Sequence, residues 1–249
     1  MDLRARLEAA LARLIAAINA VDAKMVGSHE TRLLTDFAEN VAKQNDFTMA
    51  IIGTAANFTT APVAAALGPN HPGVVQWRSG TTANSGVQCS TNTTSFRLGG
   101  GEQWNVNFFT APVFTTVLFR SGALDSITSV APVDGMYFEL NGSGAVVGKC
   151  RSNNAESVTA TIATLAPSTW AHGRINLNAA ANLVTFTVFS DAGVQLGQAT
   201  LAANIPTAAG RELGWLSLST STGTVAIELC HIDRQKLSNP GRTVARGAA

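Results

Sequence analysis

The chain has 249 residues, of which 46% are hydrophobic and only 13% are charged, and its formal net charge is +1. A chain so close to neutral lacks the basic excess of nucleic-acid binders, and no apolar run reaches the ~18 residues that a membrane span needs. The composition therefore argues against nucleic-acid and membrane partners. The length allows one large domain with a small appendage.

The N-terminal residues predict a helix that carries an oligomerisation seam. Residues 2–25 are rich in Ala, Leu, Arg and Glu and contain no Gly or Pro, as is typical of helices. Apolar residues recur at alternating spacings of four and three, as at the a and d positions of a coiled coil: Leu7, Leu11, Leu14, Ile18, Val21 and Met25. We expect these residues to line the axis of a homotrimer. Because 3.5- and 3.6-residue periods barely separate over this length, an amphipathic helix lying on its own domain is the alternative.

A drop in charge marks a boundary near residue 46. Thirteen of the 33 charged residues lie in the first 46 positions. Glu30 to Asp46 predicts a second short helix, or a continuation of the first, so that residues 1–46 form an oligomerisation and attachment segment. Residues 47–73 are low in charge and rich in small residues, which favours an apolar arm or a linker. The expected attachment residues of that arm are Phe47, Ile51, Ile52, Phe58 and Val63.

Residues 74–235 predict an antiparallel β-sandwich, and residues 236–249 an extended tail. Short Val-, Thr- and Phe-rich runs alternate with turn residues at intervals typical of a sandwich or barrel. In one run Met136, Phe138 and Leu140 should face the core while Tyr137 and Glu139 face outward. The expected strands are 74–77, 87–90, 94–98, 103–109, 113–120, 135–140, 145–151, 156–163, 172–178, 182–190, 194–200, 213–219 and 224–232.

The sequence offers little catalytic or metal-binding chemistry. Cys89, Cys150 and Cys230 lie far apart in no metal-ligand spacing, so we interpret them as small buried hydrophobes, with one bridge between two of them as the alternative. We expect no metal and no cofactor. A glycosidase would need two carboxylates at one cleft. Glu139 and Glu228, both in mid-strand, are the pair that a concave sheet could bring together, although ordinary solvent-facing positions are the simpler interpretation.

Sugar binding would need exposed aromatic side chains. The candidates are Trp77, Trp104, Trp170, Trp215 and Tyr137. One tyrosine and four tryptophans are few for a sugar-binding surface, and tryptophan packs in cores and interfaces more often than it stacks on ligands. Glu8 and Arg13 also interrupt the apolar stretch that a signal peptide would need, which argues against export through one.

Three stretches resemble a module of tailed-bacteriophage virion proteins. The first is the segment from His71-Pro72-Gly73 to Thr81-Thr82-Ala83-Asn84-Ser85-Gly86. The second is Asp134-Gly135-Met136-Tyr137-Phe138-Glu139, and the third runs from Ser168-Thr169-Trp170 to Asn182-Leu183-Val184-Thr185-Phe186-Thr187-Val188. Together they span about 71–235. The resemblance implies a concanavalin A-like jelly-roll sandwich, so that the expected fold class is mainly β with an N-terminal helical segment.

This resemblance also implies a function. Such proteins are homotrimeric tail-fibre, spike or capsid-decoration components, attached to other virion proteins through an N-terminal segment and assembled in the host cytoplasm. No catalytic residue carries over, and the acidic metal cluster of plant lectins has no counterpart. The expected function is therefore a non-enzymatic structural component of a virion. The alternatives are a lectin-like module that binds a host surface glycan and, third, a polysaccharide depolymerase.

Overall fold

The fold is described from a computed structural model, over residues 30–35, 47–53, 57–58, 75–78, 83–91, 97–110, 116–125, 131–208, 211, 213–221 and 228–240. Every regular element in these residues is a strand. The strands are β1 (Glu30–Thr35), β2 (Phe47–Ile52), β3 (Asn57–Phe58), β4 (Val75–Arg78), β5 (Gly86–Thr91), β6 (Gln103–Phe109), β7 (Val117–Leu124), β8 (Gly135–Leu140), β9 (Ala145–Ser152), β10 (Ala155–Val158), β11 (Ala163–Thr164), β12 (Trp170–Leu177), β13 (Val184–Ser190), β14 (Gln195–Leu201), β15 (Gly214–Ser221) and β16 (Glu228–Pro240).

The strands form two eight-stranded sheets. Sheet 1 has the order β14-β13-β12-β6-β16-β4-β3, with β1 paired to β16, and sheet 2 has the order β10-β9-β8-β7-β15-β5-β2, with β11 paired to β9. The registered pairs are antiparallel, including those in which a late strand lies between two early ones. This confirms the expected two-sheet antiparallel sandwich.

The two sheets interlock through large side chains set against small ones. Phe138 of sheet 2 and Phe186 of sheet 1 meet edge to face, with their ring centroids 5.4 Å apart. Phe186 lies where a Cβ on Gly148 would be, and Phe138 lies where a Cβ on Gly173 would be. Each ring therefore fits into a space left by a glycine of the opposite sheet, which is the close packing expected of a protein interior.

A buried hydrogen bond also joins the sheets. The Nε1 of Trp104, in β6, donates to Oγ of Ser121, in β7, over 2.8 Å. Trp104 is fully buried, and a buried indole N–H needs such a partner. The pair pins one sheet to the other in the middle of the apolar core.

The structure tests only part of what was predicted for the N-terminal residues. The expected helix over Glu30–Asp46 is wrong at its start, because residues 30–35 form β1. The seam residues Leu7, Leu11, Leu14, Ile18, Val21 and Met25 lie outside the described residues, so the coiled coil and the trimer remain predictions.

The segment expected to be an arm or linker contributes strands to the sandwich. β2 pairs along its whole length with β5, and in β3 Phe58 lies opposite Trp77. The run from Phe47 to Ile52 is rich in the apolar and β-branched residues that suit a strand. Val63 lies outside the described residues, and an attachment role for any of these residues remains a prediction. At the other end β16 continues to Pro240, into the expected tail.

One strand lies four residues later than expected. The run expected at 113–120 is β7, at 117–124. Ser121, Gly122 and Ala123 suggest a turn in the sequence, yet they lie inside the strand. Gly122 has a φ of +153°, and a Cβ there would lie 2.3 Å from the carbonyl oxygen of Met136. This glycine is therefore required by close contact with the neighbouring strand, not by a turn.

The chain divides into two compact units, residues 1–31 with 239–249 and residues 32–238. The sandwich described above belongs to the second unit, apart from the terminal residues of β1 and β16. Within the described residues, no helix is both long enough and apolar enough to span a membrane.

Candidate functional site

The outer face of sheet 1 is rich in amides. Along β6 the residues facing the core are buried and the alternate residues are half-buried, and β12 alternates in the same way from Ala171 onward. We call the outward positions of four neighbouring strands the amide face. They are Gln103, Asn105, Asn107 and Phe109 of β6; Trp170, His172, Arg174 and Asn176 of β12; Thr185, Thr187 and Phe189 of β13; and Gln195, Gln198 and Thr200 of β14.

Arg174 is the central charged group of the amide face. Its Nε donates to Oδ1 of Asn105 over 3.2 Å. Its guanidinium carbon lies 5.0 Å from the ring centroid of Phe189. Gln103 donates from Nε2 to the same Asn105 oxygen over 3.1 Å. The guanidinium is thus held by an amide on one side and an aromatic face on the other, while its two terminal nitrogens make no hydrogen bond to the described residues.

Aromatic rings surround this arginine on two strands. His172 lies 5.4 Å from Phe189, centroid to centroid, and Phe109 meets Trp170 edge to face, also at 5.4 Å. Trp170 is about nine-tenths buried, so little of its ring is accessible on the amide face. The result is a half-exposed surface with planar amides, aromatic rings and a fixed cation side by side.

The register brings further basic residues to this face. β16 pairs with β6 on the side away from β12, and its backbone places Lys236 opposite Asn105 and Arg234 opposite Asn107. His231 lies opposite both Phe109 and Gln76. Residues directly opposite in an antiparallel pair share a face. The backbone positions of Lys236 and Arg234 therefore continue the rows that contain Arg174 and His172.

The outer face of sheet 2 differs from the amide face, because it carries ion pairs and several fully buried side chains. We call its outward positions the network face: Gln88, Arg120, Gly122, Leu124, Gly135, Tyr137, Glu139, Val147, Lys149, Arg151, Glu156 and Thr220. Tyr137 and Thr220 are 0% exposed, Leu124 is 1% exposed, and Gln88 and Arg120 are each 6% exposed. Outward positions of a two-layer sandwich are normally wet, so the burial of these five residues is unusual. Ile52 is one residue that packs on Leu124 and Tyr137.

An alternating chain of charges crosses the network face. Glu139 accepts from Nε of Arg120 and from Nζ of Lys149, each over 2.9 Å. Glu156 lies 3.6 Å from Lys149 Nζ and 3.7 Å from Arg151 Nε. Burial alone would raise the pKa of Glu139, but hydrogen bonds from Lys149 and Arg120 and their positive charges outweigh it, so the pKa is lowered. The carboxylate is therefore held charged.

Tyr137 lies at the centre of this face, over two glycines. A Cβ on Gly122 would lie 2.7 Å from the Cα of Tyr137, and a Cβ on Gly135 would lie 3.0 Å from its ring. The guanidinium of Arg120 lies 5.8 Å from the ring centroid. Among the described residues the buried hydroxyl has no hydrogen-bond partner. Burial raises its pKa, and the charges of Glu139 and Glu156 reinforce that rise against the opposing charges of Arg120 and Arg151. Tyr137 is thus a buried packing residue.

The structure separates the carboxylates suggested for glycosidase chemistry. Glu139 lies in β8 of sheet 2, where it is engaged by two cations, whereas Glu228 begins β16 of sheet 1. Residues in different sheets cannot face one cleft on a single sheet surface, so the suggested pairing is wrong. Within the described residues, no group of three or more His, Cys, Asp or Glu side chains could hold a metal ion.

Two of the aromatic candidates are fully buried. Trp104 belongs to the core between the sheets, and Tyr137 to the network face. Trp77 and Trp215 lie in β4 and β15, and only their backbone is described. Cys89 and Cys150 are buried, as interpreted, and burial raises the pKa of the Cys150 thiol to about 12. The side chain of Cys230 is not described.

The sequence interpretation missed the residues of the amide face. Arg174, Asn105 and Phe189 were not candidates, since none belongs to a catalytic motif. A signal was present nonetheless. In Gln103-Trp-Asn105-Val-Asn107 and His172-Gly-Arg174-Ile-Asn176, hydrogen-bonding side chains occupy every second position opposite core residues. That alternation marks a strand whose outer face is unusually rich in hydrogen-bonding groups.

Known proteins share this fold. A protein of unknown function, SO2946 from Shewanella oneidensis MR-1, superposes with a TM-score of 0.72 at 19% identity, covering 90% of this chain and 92% of that one. Winged bean acidic lectin complexed with methyl-α-D-galactose gives a TM-score of 0.57 at 10% identity, covering 86% and 100%. Rv0315 of Mycobacterium tuberculosis, described as an immunostimulatory antigen and pseudo β-1,3-glucanase, gives 0.54 at 12% identity, covering 86% and 100%.

These likenesses establish a lectin-like, concanavalin A-type sandwich, as the sequence resemblance implied. None of these three is named as a virion protein, so a role in a bacteriophage particle remains a prediction. A search of curated protein sequences finds no significant match. The profile of the family described as SO2946-like, C-terminal domain matches residues 70–233. Because the matched residues make up well over half of this chain, the chain belongs to the SO2946-like C-terminal domain family.

Proposed function

We propose that this chain is a non-enzymatic glycan-binding module and that the amide face is its binding surface. The observation that carries the proposal is the fixed guanidinium of Arg174, held between Asn105 and Phe189 on a half-exposed sheet surface. Glycans present hydroxyl groups beside apolar C–H faces. A surface that sets planar amide donors and acceptors next to aromatic rings matches both.

Preorganisation supports this assignment. The Gln103–Asn105–Arg174 hydrogen bonds orient the polar groups before a ligand arrives. The face lies on regular strands, so the binding groups are already ordered and less conformational entropy is lost on binding. Lectin structures are among the fold neighbours, but at 10% identity they support only the fold, and the binding role depends on the residues named here.

The residues also favour binding over hydrolysis. A glycosidase needs two carboxylates flanking the scissile bond, and β6, β12, β13 and β14 contain no Asp or Glu. The amide face therefore has donors and acceptors for a glycan but no general acid on these four strands. This argument supports a binding module in preference to a depolymerase.

A binding experiment tests the proposal. Wild-type protein is screened on a glycan array, and the strongest ligand is titrated by calorimetry against Arg174→Ala and Asn105→Ala. We expect each change to weaken binding at least tenfold, because each removes part of the preorganised group. Arg97→Ala is the matched control: it removes one positive charge from an exposed position outside the amide face and should leave the affinity unchanged. No array ligand, or equal affinities for all variants, would contradict the proposal.

The place where such a module acts is a separate proposal. The resemblance of the stretches at 71–86 and 134–139 to phage virion proteins supports display on a virion, with the N-terminal segment attaching it and the seam from Leu7 to Met25 forming the trimer. A deletion of residues 1–29 spares every described strand. The deleted protein should lose trimerisation in light scattering and co-sedimentation with particles, and retention of both would contradict this placement.

A further inference from the structure

We infer that the amide face selects acidic glycans, whose carboxylate or sulfate groups pair with the guanidinium of Arg174. This inference rests on the proposed function, since it specifies the class of ligand for the same surface. The reasoning starts from the distribution of charge, which is uneven even though the whole chain carries a net charge of only +1.

The amide face carries a positive charge that no carboxylate of its own four strands balances. Arg174 is the single ionised residue on β6, β12, β13 and β14, apart from the titratable His172. The register adds Lys236 and Arg234 opposite Asn105 and Asn107. Two carboxylates occur on β16. Glu228 lies opposite Arg78, and Asp233 falls at the register shift between Ile232 and Arg234, outside the paired rows.

On the network face, carboxylates of the same face neutralise the arginine and lysine side chains. There Arg120 and Lys149 each lie 2.9 Å from an oxygen of Glu139, and Glu156 forms longer ion pairs with Lys149 and Arg151. The amide face has one such cation on its own four strands, Arg174. Its side chains in β6, β12, β13 and β14 provide no such carboxylate. An external anion can fill that role.

The setting of Arg174 suits a carboxylate in particular. Its Nε is already bonded to Asn105, and this leaves the two terminal nitrogens, which make no hydrogen bond to the described residues. A planar guanidinium presents such a pair of donors in a geometry that matches a carboxylate or a sulfate. The ring of Phe189 beside it lowers local hydration, which strengthens the pairing.

The register places a second basic position in the row of Arg174. Arg174, Asn105 and Lys236 share one row across three adjacent strands. At about 4.8 Å between strands, the backbones of Arg174 and Lys236 are roughly 10 Å apart. Arg120 and Lys149 on the network face also belong to strands separated by one strand, and the single carboxylate of Glu139 pairs with both. One acidic group, or several along an oligosaccharide, therefore fits this row, and the inferred ligand is an acidic glycan.

Matched glycan pairs test the inference. The full-length protein is titrated with polygalacturonate and its methyl ester, heparin and its desulfated form, and a panel of neutral oligosaccharides. We expect an acidic member to bind at least tenfold more tightly than its uncharged counterpart and to lose affinity as NaCl rises. Equal binding of both members, or preference for a neutral sugar, overturns the inference and leaves the proposed function standing. Absence of binding to every probe counts against both.

Variants at one position distinguish charge from geometry. Arg174→Gln should remove the preference for the acidic member, and Arg174→Lys should retain part of it, because lysine keeps the charge but not the paired donors. Arg97→Gln removes an equal charge from an exposed position outside the face and should preserve the preference. Loss of the preference in Arg97→Gln as well would show that net charge alone, and not this surface, selects the ligand, and would overturn the inference.

Discussion

The two outer faces of the sandwich hold their arginine side chains in different ways. On the network face Arg120, Lys149 and Arg151 alternate with two glutamates and are largely buried. On the amide face Arg174 is held by a neutral amide and a ring, and β6, β12, β13 and β14 offer no carboxylate to pair with it. The comparison indicates that the charges of the network face neutralise one another, whereas Arg174 has no counter-charge among the described residues.

The cost of removing a charge from water explains why the two faces arrange their charges differently. Removing a charge from water costs several kcal/mol, which is recovered only when a counter-charge and hydrogen bonds are already in place. A covered face must therefore carry alternating signs, as the network face does. A face with unbalanced positive charge has to stay hydrated until a ligand supplies the anion. The comparison can be tested by breaking each arrangement in turn.

The largest expected effect comes from removing the shared carboxylate of the network face. Glu139→Ala leaves Arg120 and Lys149, whose side chains are 7% and 17% exposed, without their short ion pairs. Breaking a buried pair on one side typically costs about 3–5 kcal/mol, and urea unfolding should show a loss of that size. Glu156→Ala is the control, because its contacts are longer and its side chain is 32% exposed; we expect about 1 kcal/mol or less. Equal losses for both variants would mean that the network is not organised around Glu139.

The same carboxylate predicts a pH dependence. Its pKa in the folded protein is lowered, so the stability that it contributes is present above its unfolded pKa of about 4.3 and is lost as the pH falls through the lower folded value. The unfolding free energy of wild type should therefore fall in acid more steeply than that of Glu139→Gln. Burial raises the pKa of Asp125, so this residue changes the stability with pH in the opposite direction. It is present in both proteins, and its contribution cancels when the two pH profiles are compared. Parallel pH profiles of the two proteins would contradict this account.

The sequence predicted the framework well because alternation is a local signal. β6 and β8 begin and end at the expected residues, and Met136, Phe138 and Leu140 face the core as expected. The burial of Tyr137 was not predictable, since it depends on Gly122 and Gly135 beside it and on Ile52 from the distant strand β2. The arginine of the amide face was missed for a related reason: its partners, Asn105 and Phe189, belong to other strands, and a single sequence does not reveal the register.

The smallest expected effect on stability is that of Arg174→Ala, and it is the one that separates the two faces most clearly. Arg174 makes one hydrogen bond of 3.2 Å and one cation–π contact on a half-exposed surface, so its removal should cost about 1 kcal/mol or less. Arg120→Ala deletes the same side chain from the buried network and leaves Glu139 with Lys149 alone, which should cost several times more. Urea unfolding of the two variants, set beside their glycan affinities, gives the decisive result: Arg174→Ala should lose binding and keep its stability. If Arg174→Ala proves as unstable as Arg120→Ala, the amide face is a structural element like the network face, and the contrast between them fails.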